Sequence, residues 1–93
     1  MNNMNKVIKF GAAWCGPCRS MKPAYEKFTA DFNGQGVEIL DLDVDQNSTE
    51  ASEYGVRSIP LTVFIKDGEV VGRISGGTDY AGLTAKYNEV YTN

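Results

Sequence analysis

The chain has 93 residues, 42% of them hydrophobic and 23% charged, which fits one globular domain around one core. Its formal net charge is -3, with 9 basic residues against 12 acidic ones, so no basic stripe exists to neutralise phosphates and nucleic acid is excluded as a partner. No apolar run approaches the roughly 18 residues of a membrane span, and Met1-Asn2-Asn3-Met4-Asn5-Lys6 lacks the apolar segment of a secretory leader; the expectation is a cytoplasmic chain in which residues 1–93 act as a single domain.

Val7 to Ala12 is a short apolar run broken only by Lys9, and it reads as a central strand. It leads directly into Trp14-Cys15-Gly16-Pro17-Cys18. From about Pro17 to Phe32 the pattern is helical, with Met21, Tyr25, Phe28 and Phe32 on the face turned to the core. Pro23 lies inside this helix and should bend it, because it removes one hydrogen bond and crowds the preceding turn. Asn33-Gly34-Gln35-Gly36 ends it. Val37 to Val44 alternates, with Leu40, Leu42 and Val44 on one face and Val37, Ile39, Asp41 and Asp43 on the other. Two parallel strands joined by a helix form a right-handed βαβ unit. Asn47 or Ser48 is expected to cap a short helix, with Glu50 as capping-box partner, Ala51 and Tyr54 facing inward and Gly55 as the stop. Leu61 to Ile65 and Val70 to Ser75 flank Lys66-Asp67-Gly68, a hairpin signal. Thr78 is expected to cap a last helix whose buried stripe is Leu83, Tyr87 and Val90.

Cys15 and Cys18 are the only two cysteines, and the chain has no histidine. A structural zinc site needs about four ligands, more than one such chain offers. A disulfide closing so small a loop would stabilise little, so the spacing points to catalysis. A helix that starts at about Gly16 or Pro17 puts Cys15 at its N-terminal edge, where unpaired N–H groups and the helix dipole favour a thiolate. Pro17 suits the first turn, and Gly16 is expected to let the backbone turn tightly and leave the Cys15 sulfur uncovered. Cys18 falls on the same side, within reach of a disulfide. Lowering a thiol pKa from about 8.5 to about 7 raises the thiolate fraction about 16-fold but takes back about fivefold in nucleophilicity. Most of the rate therefore comes from access to Cys15 and from the high effective concentration of Cys18 against a mixed disulfide. Cys15 reads as the nucleophile and Cys18 as the resolving thiol.

The stretch Trp14-Cys15-Gly16-Pro17-Cys18 resembles the active-site motif of the thioredoxin family. The likeness extends to Pro23, Asp43-Val44-Asp45-Gln46-Asn47, Tyr54-Gly55-Val56, Ile59-Pro60, Lys66-Asp67-Gly68 and Gly76. The resemblance implies an α/β fold of the compact thioredoxin type, βαβαββα, with a four-stranded mixed sheet flanked by helices. It further implies reduction of protein disulfides by a Cys15–Cys18 dithiol/disulfide cycle, no cofactor or metal of the chain's own, a monomer, and a flavin-dependent thioredoxin reductase as electron donor. Family members ordinarily carry an extra strand and helix ahead of the active-site strand, where this sequence has about five residues. A short, glutaredoxin-sized form is therefore expected, with glutathione as the alternative electron source and a thioredoxin-fold binding module as the alternative role.

The same resemblance implies a cis peptide bond before Pro60, which would turn the backbone of Ile59 outward to pair with an extended substrate. It makes Trp14, Gly16, Pro17, Ile59, Pro60 and Gly76 the substrate-binding set. Leu61 stands where the family usually has threonine. Gly11 stands where many members have an aromatic residue, so the floor beside the site is expected to be open. Lys9 and Asp41 stand where the family commonly has a buried acid and a lysine, which suggests a swapped ion pair. A charge in an apolar central strand needs a partner, and the pair is expected to handle the Cys18 proton or tune the Cys18 thiol.

Overall fold

β1 (Lys6–Gly11) is buried along nearly its whole length and forms the centre of a four-stranded sheet, flanked by β2 (Glu38–Asp43) and β3 (Leu61–Lys66). The structure, a computed structural model, describes residues 4–92. The sheet order is β2-β1-β3-β4, with β4 (Glu69–Ser75) and β2 at the two edges. β1 and β2 run parallel, whereas β3 is antiparallel to both β1 and β4. The parallel pair is joined by α1 (Gly16–Phe32), and the remaining helices are α2 (Ser48–Glu53) and α3 (Tyr80–Tyr91). This is the compact thioredoxin fold, in the element order that the sequence implies.

The period-2 pattern of the strands sorts the core into two layers. On one face Val7, Ile39 and Phe64 meet Met21, Tyr25 and Phe28 of α1 and Leu83, Tyr87 and Val90 of α3. Aromatic rings stitch the two helices together, with Tyr87 edge-on to Phe28 at 5.8 Å and 4.5 Å from Phe32 between centroids. On the other face Ile8, Phe10, Leu61, Val63 and Ile65 pack beneath Ala51, Tyr54, Val56 and Ile59. The β3–β4 hairpin turns through Asp67 and Gly68, both with positive φ (54° and 84°), the combination that a two-residue turn needs to match strand twist.

The capping expectations need correction. Asn47 precedes α2, but its side chain donates to the Asp43 carbonyl at 3.0 Å instead of accepting a helix N–H. No capping box forms, because the 43–47 turn claims that side chain first. α3 begins one turn position later than Thr78 would set it: Asp79 is its N-cap and accepts from the Gly82 N–H at 2.8 Å. A carboxylate there also meets the positive end of the helix. Phe32 is half-buried at the end of its stripe.

Candidate active site

β1 delivers the chain to the head of α1, and the turn between them is closed by the Cys15 N–H donating to the Ala12 carbonyl at 3.1 Å. Cys15 is then the N-cap of α1, and its Sγ accepts from the Cys18 N–H at 3.3 Å. The two residues are joined as a disulfide with their Cα atoms 5.3 Å apart. Both cysteines are buried, Cys15 at 6% and Cys18 at 3% exposure, so Cys15 is not left uncovered as the sequence suggests. A thiolate on Cys15 would accept from this Cys18 N–H and be favoured by the helix N-terminus.

Pro17 occupies the first turn of α1, as expected. Gly16 differs from expectation: its φ is ordinary and a Cβ built there would meet nothing within 4 Å. The tight turn therefore does not require glycine at that position. Trp14 is 67% exposed, and its indole N–H donates to Asp45 Oδ2 at 2.9 Å. It is thus held as a fixed flap beside Cys15 instead of filling the sheet edge.

The Ile59–Pro60 peptide bond is cis. Pro60 is buried, and Ile59 packs against Ala12, Cys15 and Cys18. Among the described residues neither the N–H nor the C=O of Ile59 has a hydrogen-bond partner. Gly76 donates its N–H to the Pro60 carbonyl at 2.9 Å with φ of 85°, so here glycine is demanded by the backbone. Beyond it, Gly77, Thr78 and Asp79 face Pro17 and Ser20 across an open groove.

Behind Cys18 the chemistry changes. Lys9, at 4% exposure, sits beside Asp41 in the parallel register, and its Nζ lies 3.6 Å from Asp41 Oδ2. The ammonium also donates to the Cys18 carbonyl at 3.4 Å and lies 5.6 Å from the centre of the Tyr25 ring. Tyr25 donates its hydroxyl to the Leu40 carbonyl at 2.6 Å. Burial first, and the Asp41 carboxylate second, push its titration well above the ordinary tyrosine value. A cavity of about 400 Å³ opens here, lined by Lys9, Gly11, Cys18, Arg19, Lys22 and Asp41 among others. Gly11 forms its floor, and a Cβ there would lie only 3.1 Å from Cys18 Sγ. Sequence reasoning named Lys9, Gly11 and Asp41 but missed Asp45, Arg19 and Thr62. Asp45 stands in the Asp43–Asn47 stretch that resembles the family. Arg19 braces the active-site loop by donating to the Ala13 carbonyl at 2.8 Å. Thr62 had no signal of its own.

With this geometry in place, the comparisons with known proteins agree. The family model described as Thioredoxin matches residues 1–89. The chain belongs to the thioredoxin family. A thioredoxin of Staphylococcus epidermidis is 44% identical over 71 residues, covering 76% of this chain and 67% of the relative, and one of Staphylococcus aureus is 42% identical over the same length. Among solved structures, a mutant thioredoxin from Halobacterium salinarum NRC-1 superposes with a TM-score of 0.84 at 34% identity, covering 98% of this chain and 77% of that one. The thioredoxin of Fasciola hepatica gives 0.82 at 38% identity, covering 95% and 82%. The chain is a thiol-disulfide oxidoreductase, with Cys15 and Cys18 as its redox-active pair. No helix among the described residues is long and apolar enough to cross a membrane.

Proposed function

We propose that this single domain reduces protein disulfides, with Cys15 as the attacking thiolate and Cys18 as the resolving thiol. The observation that carries the reading is the asymmetry of the pair: Cys15 Sγ caps the rim of α1 and takes the Cys18 N–H, while Cys18 lies inward against Gly11. Cys15 attacks one sulfur of the target, whose other sulfur leaves as a thiol. Cys18 then attacks Cys15, releasing the second target thiol and leaving the Cys15–Cys18 disulfide.

The target would lie as an extended segment over Trp14, Gly16 and Pro17, pairing with the open N–H and C=O of Ile59 beside Pro60, with Gly76 giving it room. Lys9 and Asp41 form the polar pair behind Cys18 that governs its proton. Two electrons must return from outside, because the chain carries no cofactor motif. A flavin-dependent thioredoxin reductase suits that need, with glutathione as the alternative source, and the chain would work as a monomer in the cytoplasm.

The test is Cys18→Ser. That variant should attack a disulfide substrate once and stall as a covalent adduct on Cys15, which mass spectrometry locates. An adduct that forms only in Cys15→Ser protein, on Cys18, would reverse the roles.

A further inference from the structure

Across the sheet at the level of Cys18 runs a polar row: Asp41 on β2, Lys9 on β1 and Thr62 on β3 are direct neighbours in the strand register. The Lys9 ammonium has three protons to place. Its contacts to the Cys18 carbonyl and to Asp41, at 3.4 Å and 3.6 Å, are both longer than the roughly 2.7 to 3.2 Å of a well-formed hydrogen bond. Thr62 is fully buried, and its hydroxyl has no partner among the described residues. Of these groups it is Lys9 that lines the cavity of about 400 Å³, and an under-coordinated ammonium there is where ordered water belongs.

The sulfur of Cys18 borders the same place. A Cβ on Gly11 would stand 3.1 Å from Cys18 Sγ and 3.7 Å from Lys9 Cε, so the sulfur and the last methylene of the lysine both lie close over Gly11. The other charged or titratable groups turned to this region are Asp41 and Asp43 from β2 and Arg19, Lys22 and Tyr25 from α1. Asp43 is occupied by the Asp45 and Gln46 N–H groups, and Tyr25 by the Leu40 carbonyl. Of the charged groups, it is the cation Lys9 whose chain borders the space beside the sulfur.

Resolution needs a negative charge on Cys18. We propose that the buried Lys9 ammonium is a positioning residue that holds Cys18 as its thiolate while the target is bound to Cys15, so that Cys18 attacks without a base to take its proton. The inference rests on the roles of Cys15 and Cys18 given above. The Cys18 proton passes to cavity water and out past Asp41 to solvent. The Cys18 sulfur then bonds to the Cys15 sulfur, the bond between Cys15 and the target breaks, and the target leaves as a thiolate that takes a proton from water. Asp41 has the opposite sign of effect from a base: its carboxylate weakens the field of Lys9.

In Cys15→Ser protein Cys18 is the sole thiol, and its titration is read from thiolate absorbance against pH. The expected midpoint lies below the ordinary thiol value of about 8.5. Lys9→Met should raise it by about one unit, which is tenfold, Lys9→Arg should bring it back, and Asp41→Asn should lower it. With both cysteines present, a small aromatic disulfide releases one chromogenic thiol on attack and a second on resolution. Lys9→Met should slow the second phase about tenfold at pH 7 and make it pH-dependent, whereas Asp41→Asn should not slow it. Slowing by Asp41→Asn with the Cys18 midpoint unmoved or raised would identify Asp41 as a base and overturn the proposal. So would a midpoint that Lys9→Met leaves in place or lowers. If the Lys9 variants do not fold, Asp41→Asn, at a partly exposed position, decides by the sign of its shift. Failure of the underlying roles looks different: Cys18→Ser protein would then release no first thiol.

Discussion

β1 turns Ile8 and Phe10 to one side of the sheet and Val7, Lys9 and Gly11 to the other. The first stripe is apolar throughout and packs on Leu61, Val63 and Ile65. The second changes at every step towards the cysteines, from Val7 in the aromatic core to a buried ammonium at Lys9 and bare backbone at Gly11 beneath Cys18. Both stripes hang on one hydrogen-bonded ladder, so the backbone does not distinguish them. The difference teaches that a single strand can hold the domain together with one side and tune a thiol with the other.

The comparison breaks first at Phe10, which is fully buried. Phe10→Ala should cost about 3 to 5 kcal/mol in urea denaturation, yet the folded fraction should keep its rate of reaction with a disulfide substrate. A slower folded enzyme would show that the apolar stripe also serves the chemistry. On the other stripe, Asp41→Ala strands the Lys9 charge. Because the Asp41 side chain is 39% exposed, water reaches the pair, and the loss should be about 1 to 2 kcal/mol, below the cost of breaking a fully buried pair. The exchange Lys9→Asp with Asp41→Lys should recover part of that loss, and strictly additive effects in the double-mutant cycle would show that the two residues are uncoupled.

Gly11→Ala sharpens the contrast by placing a methyl group against Cys18 Sγ. Its neighbours must yield by a few tenths of an ångström, and the expected loss is about 1 kcal/mol. It should fall more heavily on the oxidised protein, in which the sulfur is tied, than on the reduced one. Equal losses in the two redox states would place the strain elsewhere.

The smallest effect lies away from β1, at Tyr91, whose hydroxyl contacts the carbonyls of Lys6 at 2.9 Å and Ile65 at 2.7 Å. Burial is the main cause that pushes its titration from 10.0 up to about 12. The folded state favours the protonated hydroxyl, so this contribution is complete below pH 10.0, declines above it and is gone beyond about 12. Tyr91→Phe should flatten the alkaline fall of stability in that window. An unchanged slope would assign the fall to Tyr25, Tyr54 and Tyr87, whose titrations are raised in the same direction.

Most of the fold is legible because strand alternation and the helical stripes of α1 and α3 are strong periodic signals. Lys9 and Asp41 were legible as a pair because a lysine in an apolar central strand demands a partner and the neighbouring parallel strand supplies one in register. The caps were not: shifting a helix start by one residue moves the role from Thr78 to Asp79, and nothing local in the sequence resolves that shift. Gly16 misled because its motif neighbours suggest a strained turn, whereas its backbone is ordinary. The bond from Trp14 to Asp45 spans 31 positions, and the orphaned Thr62 hydroxyl emerges only when β3 is laid beside β1. Both are consequences of tertiary packing that no window along the chain contains.

β2 closes one side of the sheet as its edge strand, and three of its six residues are Glu38, Asp41 and Asp43. Two molecules meeting along that edge would bring these carboxylates within one strand spacing, about 4.8 Å. The sheet is therefore guarded against growing from molecule to molecule by charge of a single sign, a guard that acid or concentrated salt would lift.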